Sequence, residues 1–406
     1  MIASCLARSI VLSVLLLFFG SNPQLEAARP SVIVPPPRLI LAHYMPWYVA
    51  KPTSQVWGWH WTMEHFDPDN VVDEKRQLAS HFYPLIGPYD SGDKQVLEYH
   101  LLLMKLAGID GVIVDWYGLQ DHFDYPILHR NTQQLVEQLT SLKMKFAICY
   151  EDKTIPLLDK AGKLVGNDRV NHATHEITWM AKNWFPLSSY VRLDGKPLLL
   201  SFGQSGLTDE QWSESLEQLA ASGSAITYIS EHHRRSKAMG AFDWPIPKQG
   251  LAAISQFEKA AADWPLAIPV AFPRFVDIYT EAKLHDSYGR IEDNQGVTFQ
   301  RSLVQALKTN QRLIQLASWN DWGEGTQIEP SHEFGYRDLE FTQQARRRHI
   351  NPRFVPTAKD LRLPAQILER RRLASTPAQT EQLDQIVKLL VAGNLPEARA
   401  RLQSLH

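Results

Sequence analysis

The sequence of 406 residues has little cysteine, little net charge and no hydrophobic run long enough to span a membrane. Its 2 cysteines are Cys5 and Cys149, and we expect Cys5 to be removed with the N-terminal segment, which excludes an intramolecular disulfide in the mature chain. A formal net charge of −2 excludes a global basic field that would attract nucleic acid or anionic lipid. With 44% hydrophobic and 21% charged residues, the composition is that of a globular chain.

The N-terminus has the order of features typical of an export signal. Arg8 precedes the apolar segment Ile10–Gly20, which is too short to cross a bilayer. Small residues near position 28 suit cleavage, so residues 1–28 are predicted to be a signal peptide; the alternative is a buried N-terminal helix. Residues 29–37 contain several prolines and are predicted to be an extended linker. We therefore expect a secreted or periplasmic protein with no membrane span after signal removal.

The middle of the chain alternates between short apolar runs and helical patterns, which is typical of a parallel sheet with crossover helices. Eight such runs indicate an α/β fold of the (β/α)8 TIM-barrel type, with a domain over residues 38–360. The predicted strands are Leu39–Tyr44, Tyr83–Gly87, Gly111–Asp115, Lys145–Tyr150, Pro197–Phe202, Ala225–Ser230, Ile268–Phe272 and Leu313–Ser318.

The last part of the chain, residues 361–406, differs from this pattern. It has helical periodicity broken near Gly393 and Pro396, and it predicts a small C-terminal helical appendage. We expect this appendage to pack on the barrel domain rather than to bind a partner. The oligomeric state is left open by the sequence.

Carboxylates and aromatic residues follow most of the predicted strands. The sequence contains 12 Trp, 13 Tyr and 16 Phe, and several of them stand where a strand ends. In a barrel of this kind the strand ends meet on one face, which is where the functional site lies. The long connection over 45–82 carries four tryptophans and is expected to belong to the site. Trp47 and Trp61 of this connection are candidate substrate-binding residues. Trp319, which directly follows the last predicted strand, is another.

Asp321 and Glu324 are the candidate catalytic pair. They are three residues apart, and in a helix-like turn their Cβ atoms would lie roughly 5–6 Å from each other. Two carboxylates at close range between aromatic walls suit glycosidic bond cleavage, in which one protonates the leaving oxygen and the other acts as base or nucleophile. The alternative is an acidic helix N-terminus, which is common.

Further candidates for substrate contact stand at neighbouring strand ends. Glu151 follows an apolar strand and suits a hydroxyl-binding role, its alternative being an ion pair with Lys153. Trp116 and Tyr117 suit stacking on sugar faces or packing under a loop. His60 is a weaker candidate for hydroxyl contact. The sequence shows no metal-ligand spacing and no phosphate-binding glycine loop, so we expect neither a metal nor a cofactor.

At Ser318–Pro330 the sequence reads S-W-N-D-W-G-E-G-T-Q-I-E-P, which closely resembles the W-N-E-W-x-E-G-T-x-I-E-P motif of glycoside hydrolase families 99 and 71. That group includes endo-α-mannosidases and α-glucanases. Weaker agreement occurs in order at Tyr44–Tyr48, Ile86–Ser91, Gly108–Gly111, Asp115–Gly118 and Tyr150–Glu151, so the similarity covers about residues 38–345.

The resemblance implies a (β/α)8 fold and roles for particular residues. Glu324 falls on the general acid and Asp321 on the general base, which in family 99 is usually Glu and removes a proton from the sugar's own 2-hydroxyl. Glu151 falls on a hydroxyl-binding carboxylate. Near substrate-contacting positions fall Tyr44, His60, Trp116 and Asn320. Because Asp is one methylene shorter than Glu, a backbone shift, a water-mediated inverting route or reduced activity would each be consistent with Asp321.

The sequence therefore predicts an exported glycoside hydrolase, with endo action favoured, that cleaves α-mannan, α-glucan or a related glycan. Two alternatives stay open. One is a non-catalytic carbohydrate-binding barrel, suggested by Asp321 in place of Glu. The other is a glycan-assembly protein, against which the export signal argues.

Overall fold

A barrel of short parallel strands forms the centre of the computed structural model, which describes residues 38–405. The predicted signal peptide and linker lie outside the described residues. The strands are β1 Leu39–Tyr44, β2 Gly111–Trp116, β3 Lys145–Glu151, β4 Lys196–Phe202, β5 Thr227–Glu231, β6 Gly240–Phe242, β7 Leu266–Ile268, β8 Val270–Ala271 and β9 Leu313–Leu316. Their spatial order is β7-β6-β5-β4-β3-β2-β1-β9-β8.

The two ends of this order are the consecutive strands β7 and β8, which only Pro269 separates. Proline has no N–H to give to a sheet, so the strand is interrupted there. Its neighbours still bond on both sides: Asp243 N donates to Ile268 O at 3.0 Å and Gln315 N donates to Pro269 O at 3.0 Å. Residues 266–271 thus act as one bent strand, and the barrel has eight strand positions, which confirms the predicted (β/α)8 fold.

The strand predictions were wrong in one place and incomplete in another. Tyr83–Gly87 is a loop and not a strand of the barrel. Its sheet-like pairing is limited to an isolated bridge between Pro84 and Ser331. The missed strand is β6, which has three residues and follows a polar segment that gives no apolar run. The strand count of eight was therefore right, although one member was misplaced.

Helices cover the outside of the barrel. They are α1 Trp59–Thr62, α2 Lys94–Ala107, α3 Tyr125–Ser141, α4 Thr154–Lys160, α5 Arg169–Asn183, α6 Asp209–Ala221, α7 Leu251–Ala260, α8 Val297–Lys308, α9 Arg337–His349, α10 Leu363–Leu373, α11 Pro377–Val391 and α12 Leu395–Ser404. Single 3₁₀ turns lie at Val165–Asn167, Asn294–Gly296 and Asp360–Arg362. Short strand pairs outside the barrel are Val71–Val72 with Lys75–Arg76 and Phe275–Val276 with Arg290–Ile291, and Arg192–Leu193 adds an antiparallel strand to β4.

Helix α2 shows how the sequence sets these boundaries. Asp93 caps its start by accepting a hydrogen bond from Gln95 N. Its end is Gly108, whose φ of 86° is left-handed, and a Cβ there would lie 2.5 Å from Arg346 Cδ. Only glycine satisfies both conditions without strain. These two conditions explain why α2 ends at Gly108.

Alternate residues of each strand belong to two separate apolar clusters. Tyr44, Trp116 and Tyr150 point outward and pack with the helices, whereas Ile113 and Cys149 point into the barrel. This period of two is the normal geometry of a strand. It decides which residues at a strand end can reach a site inside the barrel mouth.

The C-terminal helices pack against α2 on the outside of the barrel. Arg371 of α10 pairs with Glu98 of α2 at 2.7 Å, and Ile386, Leu390 and Leu402 join the outer apolar cluster. The predicted helices are therefore present, and the division at residue 361 stays a prediction. Within residues 38–405, no helix combines the length and apolar character needed to cross a bilayer.

Candidate active site

Four carboxylates from three strand ends face one cavity at the mouth of the barrel. Asp115 comes from the end of β2, Glu151 from the end of β3, and Asp321 and Glu324 from the loop after β9. The cavity has a volume of about 680 Å³ counted out to bulk solvent. It lies at the carboxyl ends of the strands, where barrel enzymes carry their sites.

The loop after β9 is a tight turn that aims Asp321 and Glu324 into this cavity. Ser318 Oγ accepts from Asp321 N at 2.8 Å, and Asp321 Oδ1 accepts from Glu324 N at 3.0 Å. Gly325 follows with a φ of 66°, and a Cβ there would lie 2.7 Å from Val276 O. The predicted helix-like turn is thus a turn closed by the Asp321 side chain itself.

The pKa values of the two carboxyls are raised to different extents. Burial, followed by the repulsion of Asp321, raises the pKa of Glu324 well above its usual range. Burial also raises the pKa of Asp321 to about 6, but the backbone N–H groups of Glu324 and Gly323 oppose that shift. Near neutral pH this environment favours a protonated Glu324 beside an ionised Asp321, which is the division of roles that acid–base catalysis needs.

Glu151 is both a cavity residue and half of an ion pair. Its Oε1 lies 3.1 Å from Lys153 Nζ, and burial raises its pKa to about 7 against the opposing effect of Lys153. Its second oxygen, Oε2, is buried and has no protein partner. The ion-pair interpretation is therefore correct for one oxygen, while the other is free to bind a hydroxyl group.

Aromatic side chains form the walls. Trp47 and His60 stack at 4.2 Å between ring centres, and Tyr117 lies 6.2 Å from Trp47. His60 also lies 3.3 Å from Asp124, and burial lowers its pKa. On another side Tyr279 OH donates to Glu324 Oε1 at 3.4 Å. Flat rings around carboxylates suit a sugar, which has both C–H faces and hydroxyl edges.

The structure brings six of the eleven sequence-predicted site residues to the cavity: Trp47, His60, Tyr117, Glu151, Asp321 and Glu324. The other five do not line it. Tyr44 and Trp116 have the outward strand parity; Tyr44 OH bonds His100 Nδ1 at 2.9 Å and Trp116 stacks with Trp179 outside the barrel. Both residues stand at strand ends, as expected of site residues, but the alternation of side chains along a strand directs them away from the cavity.

The remaining three are buried beneath the cavity. The Asn320 side chain makes two hydrogen bonds to the backbone of Met45: its Oδ1 accepts from Met45 N at 2.8 Å and its Nδ2 donates to Met45 O at 2.9 Å. Trp61 Nε1 donates to Tyr89 O at 2.8 Å, and Trp319 packs on His100 with ring centres 5.5 Å apart. These side chains hold the cavity wall in place.

Other cavity residues were not singled out from the sequence: His43, Asp115, Lys153, Phe202, Trp244 and Tyr279. The inward parity of strand residues would have found His43 and Asp115. Trp244 and Tyr279 lie on connections and reach the cavity through long-range packing, for which no local sequence pattern exists.

Within the described residues, His43, Asp115 and Cys149 place metal-ligand atom types within 4.8 Å of one another. Burial lowers the pKa of His43 to about 3 and raises that of the Cys149 thiol well above its usual range. The imidazole is therefore neutral and the thiol protonated at neutral pH. The cluster packs as uncharged groups at the base of the cavity.

Taken together, the fold and the cavity define a (β/α)8 barrel with a carboxylate-rich, aromatic-walled site. No protein-family model matches the chain. The chain is 23% identical over 329 residues to a zebrafish (Danio rerio) protein named glycoprotein endo-alpha-1,2-mannosidase-like protein, covering 70% of this chain and 69% of that one. It is 24% identical over 322 residues to the mouse (Mus musculus) glycoprotein endo-alpha-1,2-mannosidase, covering 71% and 67%.

The fold is also similar to a solved structure, the GH99 endo-alpha-mannosidase of Bacteroides thetaiotaomicron. The TM-score is 0.58 at 18% identity, with 77% of this chain and 96% of that chain covered. The resemblance to glycoside hydrolase family 99 read from Ser318–Pro330 is thus confirmed, since the chain is similar to endo-alpha-mannosidases in both sequence and fold.

Proposed function

We propose that this protein is a glycoside hydrolase that cleaves α-linked mannan or a related α-linked glycan, with endo action favoured. The observation that carries the proposal is the carboxyl pair of the buried Asp321 and the half-buried Glu324, which face an aromatic-walled cavity in surroundings that favour different protonation states. Relatives named endo-alpha-1,2-mannosidase support the mannoside in preference to an α-glucan.

Glu324 is the proposed general acid. Its raised pKa keeps the proton available, and transfer to the glycosidic oxygen lets the C–O bond to the anomeric carbon break. Asp321, whose ionised form is favoured by two backbone N–H groups, is the proposed base. It takes a proton from the oxygen that attacks the anomeric carbon. If that oxygen is the sugar's own 2-hydroxyl, water then adds its hydroxyl to the anomeric carbon and its proton to Glu324, while Asp321 returns its proton to the 2-oxygen. If it is a water oxygen, Asp321 releases its proton to solvent and Glu324 takes one up from solvent.

The attacking oxygen distinguishes two routes. The family resemblance implies attack by the sugar's own 2-hydroxyl and net retention, whereas direct attack by water would invert the anomeric centre. The short Asp321 side chain leaves more room for water than Glu would. Nuclear magnetic resonance of the first product decides between them, since the newly formed anomer is α after retention and β after inversion of an α-linkage.

Substrate binding is assigned to the cavity residues. Glu151 Oε2 is proposed to accept a hydroxyl hydrogen bond, with Trp47, Tyr117 and His60 as the walls against the sugar face. Because Tyr44, Trp61, Trp116, Trp319 and Asn320 lie behind the cavity, we propose them as supports of its shape instead of contacts. Their replacement is expected to lower stability along with activity.

The test is incubation of the purified protein with α-mannans, α-glucans and mixed glycans, followed by mass spectrometry of the products. Glu324→Gln is expected to lower kcat by about 10²–10⁴-fold with glycan binding retained, because the amide has no proton to donate. Glu210→Gln, on exposed helix α6, serves as the control carboxyl. Equal rates for Glu324→Gln and wild type would overturn the assignment.

The pH profile gives a second check. Activity is expected to rise with ionisation of Asp321, near pH 6, and to fall where Glu324 loses its proton at higher pH. Conversion of Asp321 to Asn removes the acidic limb together with most of the rate. A profile that keeps its acidic limb in the Asp321→Asn variant would assign that limb to another group.

A second candidate is a non-catalytic carbohydrate-binding barrel, favoured by Asp321 standing where the family motif usually has Glu. It predicts saturable glycan binding by wild type and by Glu324→Gln, with cleavage by neither. Asp321→Glu is then expected to create activity. Cleavage by the wild type excludes this candidate.

We also propose that residues 1–28 direct export to the periplasm or the medium. The basis is the sequence order of a positive residue followed by the apolar segment Ile10–Gly20. Fractionation of cells expressing the full chain tests it. Replacement of Leu15 by Arg is expected to retain the protein inside the cell and to prevent cleavage of the signal.

A further inference from the structure

A second concavity opens beside the active-site cavity and shares five of its wall residues. Three successive connections of the barrel build it: the one after β1, the one after β2 and the one after β3. The shared residues are Trp59, His60, Tyr117, Glu151 and Lys153, and the additional ones are Glu64, Phe123, Asp124, Tyr125, Thr154 and Leu157. We call this second concavity the side groove. A substrate in the cavity therefore continues directly into the side groove.

Several polar side chains of the side groove pair with other groups of the protein. Asp124 pairs with His60 at 3.3 Å, and Glu151 pairs with Lys153 at 3.1 Å. Thr154 Oγ1 donates to Glu151 O at 2.7 Å. Glu64 is exposed at the edge. These pairings occupy part of the polar lining, while Glu151 Oε2, on the side shared with the cavity, keeps no protein partner for a sugar hydroxyl.

Apolar side chains, in contrast, are open to solvent. Phe123 is 76% exposed, Leu157 46% and Trp59 40%. Phe123 has a φ of 47°, a left-handed conformation that is strained for a non-glycine residue, and its ring lies 4.0 Å from His122. The connection after β2 thus holds an aromatic ring at the surface beside the site. Exposed apolar groups that adjoin each other and a catalytic cavity mark a binding surface.

We propose that the side groove binds the hydrocarbon part of an amphiphilic glycoside while the sugar part occupies the cavity. This inference rests on the proposed function and narrows its substrate class to glycans linked to an apolar aglycone. Burial of hydrocarbon against Phe123, Leu157 and Trp59 supplies affinity without new hydrogen bonds. The continuity between the cavity and the side groove places the two parts of such a molecule next to each other.

The probes are the octyl and methyl glycosides of one α-mannobiose, used below the concentration at which the octyl compound forms micelles. For the wild type we expect KM for the octyl glycoside to be about tenfold lower than for the methyl glycoside. Phe123→Ser and Leu157→Ser are expected to remove most of that difference while leaving the methyl glycoside unaffected.

Matched controls are Val355→Ser and Met239→Ser, since these side chains are 68% and 45% exposed and lie outside the side groove. Both are expected to keep the wild-type preference. Equal KM values for the two probes, or equal loss of preference in the controls, would overturn the inference.

Calorimetric binding of both probes to Glu324→Gln separates this inference from the proposed function. Tighter binding of the octyl probe, lost in the double variant Phe123→Ser/Glu324→Gln, supports the side groove whatever the turnover. Equal binding of both probes overturns the side groove alone. Binding of neither overturns the proposed function and the side groove with it.

Discussion

The loop after β9 has two sides that use similar polar residues in opposite ways. Behind the cavity, Glu329 Oε1 lies 2.9 Å from His100 Nε2, while its Oε2 accepts from Tyr89 OH at 2.7 Å and from Trp322 Nε1 at 3.2 Å. Facing the cavity, Asp321 and Glu324 have few protein partners, chiefly a backbone N–H and the distant Tyr279 hydroxyl.

This difference separates support from chemistry within one sequence motif. On the buried side both carboxylate oxygens of Glu329 are engaged, which favours a single geometry because any rearrangement there leaves a donor or acceptor unpaired. On the cavity side, burial raises the pKa values of the two carboxyls, which lowers stability but suits proton transfer. The motif therefore contains both the carboxyls that face the cavity and the buried residues that fix the position of their loop.

The comparison predicts its largest stability effect at Glu329. Glu329→Ala leaves Tyr89, His100 and Trp322 without their buried acceptor and is expected to lower the free energy of unfolding by about 3–5 kcal/mol. Chemical denaturation measures it. Glu324→Ala, on the cavity side, is the matched control and is expected to change stability little. Equal losses in the two variants would contradict the division between support and chemistry.

A smaller effect of opposite sign is expected at Asp321. Its pKa is raised to about 6 in the folded protein from an ordinary 3.8, so the folded state binds more protons between those values and stability falls as pH rises through them. Asp321→Asn has no charge to bury and is expected to be about 2–3 kcal/mol more stable than wild type at pH 7.

At pH 3 the two proteins are expected to approach each other in stability, because Asp321 is then largely protonated in both the folded and the unfolded state. Unfolding curves at several pH values show the trend. A constant difference across this range would mean that the carboxylate is not destabilised by burial.

The smallest effect compares two tyrosines. Tyr89→Phe removes a hydroxyl that bonds Glu329 and Asn320 behind the cavity, and we expect a loss of about 1–2 kcal/mol. Tyr279→Phe removes the 3.4 Å contact to Glu324 and is expected to cost less than about 0.5 kcal/mol of stability. In activity the order should reverse, since Tyr279 lies in the cavity and Tyr89 does not.

Much of the fold could be predicted because the strands buried on both faces are continuous apolar runs, as at Gly111–Trp116 and Lys145–Glu151. The end of α2 at Gly108 follows from local capping chemistry. Strand β6 escaped because three residues carry no periodicity, and Tyr83–Gly87 misled because an apolar loop under other loops has the composition of a strand.

The site was predictable where it depends on a local motif and not where it depends on side-chain direction. Asp321 and Glu324 reach the cavity because their turn is encoded nearby by Ser318 and Gly325. Tyr44 and Trp116 lie at strand ends but point outward, and Tyr279 arrives from a distant connection. The alternation of side chains along a strand would have corrected the placement of Tyr44 and Trp116. The position of Tyr279 depends on the packed structure and could not be read from local sequence.

The pairing of β1 with β9 has a consequence for synthesis of the chain. Leu39 of β1 pairs with Leu313 of β9. Because these strands are far apart in the sequence, β1 cannot form this pairing until most of the chain has been translated. At about 5–20 residues per second that delay is on the order of tens of seconds. The loop with the proposed catalytic pair and its buried support both follow β9, so a ribosome-bound chain has neither until most of it has emerged. If the assignment of that pair is correct, hydrolysis cannot begin before the barrel closes.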